Sequence, residues 1–306
     1  MSDLLVDPNP RTLGDGLTVG PLGFGLWRFT QTDTAIAHQV LETAVDLGMN
    51  LIDGADVYGL DWGGTGFGSV EERLGAVLAS SPGLRERIVL ATKGGIVPGV
   101  PYDSSATALR AACEASLRRL GVDCIDLYQV HRPDLFTHPS EVAATLTDLH
   151  RQGKIRAVGT SNHTPAQHEA LASALAETGL RVATTQVEWS AQRLGPMRDG
   201  TFDLAMRTGT TTLTWSPLAG GRLADGAEPS TNQPLLDVLD DLAGRYDTSR
   251  SAVALAFALA PPCRPVVLVG TQTPARLHEA VESLRVPLTR TDAYRIIEAS
   301  EGVPLP

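Results

Sequence analysis

Leu22-Gly-Phe-Gly-Leu-Trp27 is the stretch on which the fold depends. It reads as a short buried strand. The G-x-G-x-x-G turn that would follow the first strand of a doubly wound dinucleotide-binding sheet does not follow it. Outward from it, short aliphatic or β-branched runs recur: Asn50 to Asp53, Val89 to Lys93, Ile125 to Val130, Ala157 to Ser161, Thr184 to Val187, Thr211 to Trp215 and Val266 to Gly270. The segments between them have helical period, which is the rhythm of βα units around a parallel sheet. With Leu22 to Gly25 the strands number eight. The reading is therefore α/β, a closed (β/α)8 TIM barrel in one domain spanning 1–306.

Punctuation supports this frame. Thr164-Pro165 and Thr273-Pro274 each offer a hydroxyl N-cap followed by proline at the first helical position, and His138-Pro139 is a similar helix start. Gly48, Gly121 and Gly153 stand where helices should end. The apolar run Ser251 to Ala260 stops at Pro261-Pro262 and reads as a barrel helix. Ahead of the first strand, Thr12 to Gly20 carries Gly-Asp-Gly between short apolar runs, so a small β-hairpin is expected to plug the barrel's lower end. Gly59 to Gly68 and Leu218 to Pro234 read as long surface loops, and loops on a barrel's upper face usually carry function.

Composition narrows the partners. Hydrophobic residues are 42% of the 306 and charged residues 20%, enough for a sizeable core. A formal charge of −10 argues against nucleic acid or an anionic membrane as partner. The three cysteines, Cys113, Cys124 and Cys263, have no paired spacing and suit a reducing compartment. No secretory signal is visible in Met1 to Pro10, and no run reaches the roughly 18 apolar residues of a membrane span. A cytoplasmic monomer or weak homo-oligomer is the expectation.

The chemically capable residues gather at the strands' C-terminal ends. Asp53 closes the second strand, Lys93 the third, His131 follows the fourth, and Tyr58 lies five residues beyond Asp53. Consecutive barrel strands are neighbours, so these side chains should meet at one rim, where barrel enzymes keep their active sites. Tyrosine, with a reference pKa of about 10, is an available acid and a poor base near neutrality. A lysine beside it is expected to lower that pKa, and a carboxylate to hold the lysine charged. Histidine can orient a carbonyl oxygen. Such a set transfers a proton to an oxygen, half of a carbonyl reduction, and the hydride must come from a cofactor. A competing reading takes His131, Asp134 and His138 as a metal cluster.

These residues resemble a known family, the aldo-keto reductases. Asn50-Leu-Ile-Asp-Gly-Ala-Asp-Val-Tyr-Gly59 is similar to the family's aspartate-to-tyrosine motif, Ala91-Thr-Lys-Gly94 to its lysine strand, and Leu127-Tyr-Gln-Val-His-Arg-Pro-Asp134 to its histidine strand. The resemblance implies a reversible NADPH-dependent reduction of an aldehyde or ketone, with Tyr58 as proton donor, Lys93 and Asp53 tuning it and His131 positioning the substrate oxygen. It implies NADP(H), with NAD(H) possible. Gly159-Thr-Ser-Asn162 and Gln186 resemble the segments that bind the nicotinamide carboxamide, which assigns Ser161, Asn162 and Gln186 to that task. Thr214-Trp-Ser-Pro-Leu-Ala-Gly-Gly-Arg222 resembles the strand and loop that stack on the nicotinamide and reach the pyrophosphate, here Trp215, Ser216, Pro217, Leu218, Gly220 and Arg222. Leu26 and Trp27 join the cofactor set from the first strand. Gly270, Thr271, Gln272, Arg276 and Glu279 stand where the family grips the adenosine phosphate.

Arg276 is informative without the family. A cation in a helix's first turn opposes the helix dipole unless an anion sits there, and a phosphate would resolve the conflict. Trp27, Trp62 and Phe67 are the candidates for lining the substrate pocket. Within the family the resemblance is to bacterial oxidoreductases of unknown substrate. A regulatory or redox-sensing protein that binds the cofactor with little turnover is the alternative.

Overall fold

The computed structural model of the chain describes residues 4–226 and 232–305. Two short strands, β1 (Arg11–Thr12) and β2 (Thr18–Val19), pair antiparallel around a single 3₁₀ turn at Gly14–Gly16. Eight parallel strands then close into a barrel: β3 (Leu22–Gly25), β4 (Leu51–Asp53), β5 (Val89–Gly94), β6 (Ile125–Val130), β7 (Ile155–Ser161), β8 (Val182–Glu188), β9 (Thr211–Trp215) and β10 (Val266–Val269). Their order around the barrel follows the chain, with β10 returning beside β3. This is the expected (β/α)8 architecture with its N-terminal hairpin.

Strand periodicity decides what faces the interior. Val89 and Ala91 of β5 and Leu127 of β6 point inward and pack with Leu51, Ala157, Ala183, Leu213, Val266 and Leu268. Leu13, Leu17 and Val19 of the hairpin join that cluster and seal it from below. Leu90 and Tyr128, one residue out of phase, face outward into the layer between strands and helices. Two steps above the apolar layer the inward positions turn polar: Asp53, Lys93 and Gln129. The barrel is thus a closed apolar core with a polar upper layer.

The helices are α1 (Thr34–Asp46), α2 (Ser69–Ser80), α3 (Ala106–Leu120), α4 (Pro139–Arg151), α5 (Pro165–Ala176), α6 (Thr201–Thr208), α7 (Gln233–Arg245), α8 (Arg250–Leu259), α9 (Pro274–Glu282) and α10 (Arg290–Glu301). Thr164 caps α5 in a reciprocal capping box with Gln167, and Gly121 ends α3 in the left-handed conformation. Among the described residues no helix is long and apolar enough to cross a membrane.

Several sequence expectations need correcting. Thr273 stands at the N-cap of α9, but its side chain makes no capping hydrogen bond. Asn50 lies just ahead of β4, and its side-chain amide ties the hairpin, donating to Thr18 O and accepting from Gly20 N. Gly270 falls just past β10, and Pro234 belongs to α7 rather than to the preceding loop. The middle of that loop, 227–231, lies outside the described residues.

Candidate active site

Adjacent strands carry the reactive side chains to one place. In register, Asp53 on β4 pairs with Ala91 on β5, and Lys93 on β5 with Gln129 on β6. Asp53 and Lys93 therefore project from neighbouring strands into the same polar layer. Lys93 Nζ is fully buried and donates to Asp53 Oδ2 at 2.7 Å, Gly54 O at 2.7 Å and Tyr58 Oη at 3.2 Å. Those three acceptors match the three protons of an ammonium. The His131 ring meets Tyr58 edge-on at 6.0 Å between centroids. The four residues singled out in the sequence are thus brought together.

Two buried amides, one of them absent from the sequence reading, hold the base of this group. Gln129 Nε2 and Gln186 Nε2 both donate to Asp53 Oδ1, at 3.2 and 3.0 Å. Gln129 was findable, since it continues the inward phase of Leu127 and is the polar break in that phase. Gly159 lies so close to Gln129 and Thr184 that a Cβ there would collide with both.

Electrostatics set each protonation state. Burial pushes the Tyr58 phenol above its usual value, against the pull of Lys93, while Asp53 adds to the rise. The expected lowering by lysine is therefore overturned: the lysine charge is shared with Asp53, and desolvation of the phenolate outweighs what remains. For Lys93 burial acts downward, yet Asp53 and Tyr58 hold its pKa above the ordinary lysine value. His131 is driven well below 6.5 by burial, then by the cations Lys93 and Arg132, so its imidazole is neutral. Its buried Nδ1 has no hydrogen-bond partner among the described residues. The arrangement presents a protonated phenol and a neutral imidazole side by side.

A cavity of about 640 Å³ runs over this rim. Tyr58, His131, Asp53, Trp27, Val57, Asp61, Ile96 and Arg132 line one end. Leu26, Ser161, Asn162, Gln186 and Trp215 line its middle, followed by Ser216, Pro217, Leu218 and Gly220. Gly270, Thr271, Gln272, Arg276 and Glu279 line the far end with Asp225 and Ser251. Trp215 Nε1 donates to Asn162 Oδ1 at 3.2 Å, and Asn162 Nδ2 donates to His131 O and Ser161 Oγ at 3.1 and 2.9 Å. Asn162 and Ser216 both adopt left-handed backbone, with φ of 58° and 56°. These bonds leave the Ser161 hydroxyl proton and Gln186 Oε1 free of protein partners among the described residues. One donor and one acceptor on adjacent strands are what a carboxamide requires, so the residues fit a nicotinamide.

Three expected residues lie elsewhere. Phe67 packs under the Arg119 guanidinium, 5.8 Å from its ring centroid, on the outer side of the barrel. Arg222 turns to Gln192 Oε1 at 3.1 Å and does not line the cavity. Trp62 is exposed and braces the rim indirectly, edge-on to Trp27 at 5.2 Å and beneath Arg28 at 4.4 Å. Arg28 in turn donates to Gly220 O at 3.1 Å, across the cavity mouth. Arg28 and Arg132 were missed because no periodicity marks a loop cation as cavity-lining. Of the proposed metal cluster, Asp134 is occupied by Ser104 N, Phe136 N and Thr137 Oγ1, and His138 caps α4 through Nδ1.

Comparison with known proteins gives the family. The model of the Aldo/keto reductase family matches residues 21–301. The chain is similar to a 6-dehydroglucose reductase of Novosphingobium aromaticivorans, 45% identical over the whole of both chains. It is 32% identical to a 6-dehydroglucose reductase of Agrobacterium fabrum, over 95% of this chain and 97% of the other. Oxidoreductase YdhF of Escherichia coli is 33% identical over 95% of this chain and 99% of its own.

Proposed function

The chain belongs to the aldo/keto reductase family, and from that premise we propose that it reduces the aldehyde of a sugar-like substrate to the alcohol, reversibly, with NADP(H) and with Tyr58 as the proton donor. The family and its oxidoreductase relatives already make it an oxidoreductase acting on carbonyl or alcohol groups, with a nicotinamide cofactor. The observation that carries the finer reading is Lys93 Nζ, set between Asp53 Oδ2 at 2.7 Å and Tyr58 Oη at 3.2 Å.

Bound nicotinamide supplies the hydride for the carbonyl carbon. The chain's own groups do the rest. The Ser161 hydroxyl and Gln186 Oε1 would hold the nicotinamide's carboxamide, and Trp215 would offer its ring an aromatic face. The neutral imidazole of His131 orients the carbonyl oxygen towards Tyr58, whose phenol gives it a proton. Lys93 then stabilises the phenolate, with its charge steadied by Asp53. Arg276, a cation in the first turn of α9 where it opposes the helix dipole, supports a phosphate at that end and hence NADP(H).

The sugar-like substrate rests on the names of two of the relatives and on the part of the cavity by Tyr58, where Trp27 offers an apolar face and Asp61 and Arg132 offer polar groups to hydroxyls. Cofactor oxidation over a panel of 6-dehydroglucose, simple aldehydes and ketones, run with NADPH and NADH in parallel, tests the reading. Turnover is expected to be fastest with 6-dehydroglucose and NADPH. Tight NADPH binding with no turnover of any carbonyl would sink it in favour of a regulatory role.

A further inference from the structure

Behind the turn that carries Tyr58 lies a second group of buried ionisable side chains. Asp56 is 1% exposed, and its Oδ1 has no hydrogen-bond partner among the described residues. Glu71 of α2 is equally buried but well satisfied: Thr92 Oγ1 donates to it at 2.6 Å and the Arg119 guanidinium of α3 pairs with it at 2.7 Å. Tyr128 of β6 is fully buried with its hydroxyl unpartnered, and Cys113 of α3 is a neutral thiol pushed up to about 12 by burial.

Charge bookkeeping singles out one member. The buried seam holds three carboxyl groups, Asp53, Asp56 and Glu71, against two cations, Lys93 and Arg119. Lys93 is committed to Asp53, and Arg119 to Glu71. An unpaired buried carboxylate is strongly disfavoured, so the carboxyl left over should keep its proton. Burial, with Glu71 alongside, pushes the Asp56 carboxyl up to about 8, against opposing pulls from Arg119, the Val57 amide and Lys93.

Asp56 is also tied to the machinery. Its amide donates to Lys93 O at 3.0 Å, Gly54 N donates to Ala91 O at 2.8 Å, and Tyr58 N closes the turn on Ala55 O at 3.1 Å. The turn is stitched to β5 by its backbone at Gly54 and Asp56, and Lys93 Nζ reaches both Gly54 O and Tyr58 Oη on either side of Asp56. We propose that Asp56 is a positioning residue carried as a neutral carboxylic acid, and that its ionisation against Glu71 displaces the Ala55–Tyr58 turn and disengages Tyr58 from Lys93. This rests on the reading of Tyr58 as proton donor.

The test pairs pH profiles with a spectroscopic count of protonated carboxyls in the intact chain. Wild-type kcat should fall roughly tenfold between pH 7 and pH 9, in proportion to the ionised fraction, with little change in KM for the cofactor. The Tyr58 limb lies higher because its phenol is raised, and His131 titrates far lower. Each variant is read against its own plateau. Asp56→Asn should move the alkaline limb upward, whereas Glu71→Gln, which removes the like charge and frees Arg119, should move it downward. A purely structural role would not shift the two in opposite directions. In the infrared, a protonated-carboxyl band should be present at pH 7, fade by pH 10 and be missing from Asp56→Asn. Coincident limbs for wild type and Asp56→Asn, or no band that this variant removes, would overturn the proposal. Turnover without the band refutes Asp56 alone, while the band without turnover refutes the proton-donor reading and the coupling with it.

Discussion

Tyr58 is under two opposed influences, and their balance defines what it can do. Burial keeps its proton on, and the Lys93 ammonium 3.2 Å away stands ready to stabilise the phenolate once the proton leaves. A phenol exposed to water would release its proton more readily, at the ordinary pKa of about 10, but its phenolate would have no fixed cation beside it. In the proposed reaction the lysine's effect is felt as charge develops, which is where stabilisation accelerates a step. A phenylalanine keeps the ring against His131 and removes only the transferable proton, so its effect should fall on turnover and spare cofactor binding. The identities of Asp53, Tyr58, Lys93 and His131 were legible because each stands at or just beyond a strand's C-terminal end. The direction of the Tyr58 shift was not, because desolvation depends on how deeply neighbouring strands bury the group.

Elements show the same division between what pattern reveals and what packing decides. Strands such as β5 and β6 were read within a residue of their bounds, since an apolar run of four to seven residues between helical segments has few other interpretations. The loop reading ran to Pro234, two residues into α7, because proline reads as loop while here it stands in the first turn of a helix whose buried stripe is Leu235, Leu236, Leu239 and Leu242. At α9 the sequence correctly marked the start but assigned Thr273 a capping role that it does not have. Arg276 N and Leu277 N turn back to Thr273 O, so in that first turn it is the Arg276 cation, set against the positive end of the helix dipole, that favours a bound phosphate. Arg276→Ala should raise KM for NADPH about tenfold, as expected for losing one charge-assisted contact, and leave KM for NADH nearly unchanged. Equal effects on the two cofactors, measured by initial rates, would place the phosphate contact elsewhere.

At the scale of the whole molecule, the barrel joins side chains that sequence distance separates: Gln186 and Asp53 share a hydrogen bond across 133 positions. Such partnerships could not be read in advance, since they follow from closure of the sheet and from which phase of each strand turns inward. The same closure buries groups whose ionisation sets stability. Burial lowers the pKa of His131, His163 and His168, with His163 down to about 4. The unfolded chain therefore binds protons that the folded one refuses, and stability is lost as pH falls below 6.5. Asp56 has the opposite sign, since its raised pKa makes the folded state the better proton binder, and stability is lost as pH rises through about 8. The thermal midpoint by calorimetry should therefore be higher near pH 6.5 than at 4.5 or 8.5, and Asp56→Asn should flatten the alkaline side and steepen the acid side, since the unfolded carboxyl is already ionised there. An unchanged alkaline slope in that variant would show that Asp56 is not the group responsible.

In the reaction proposed for this barrel, Tyr58 delivers the proton of a nicotinamide-dependent carbonyl reduction. The most direct measurement is kcat for aldehyde reduction by Tyr58→Phe, taken together with the dissociation constant for NADPH by fluorescence titration. A kcat lowered by about a hundredfold to ten-thousandfold, the usual worth of a positioned general acid, is expected, with NADPH affinity near that of the wild type. Reduction at the parental rate by the phenylalanine variant would contradict it.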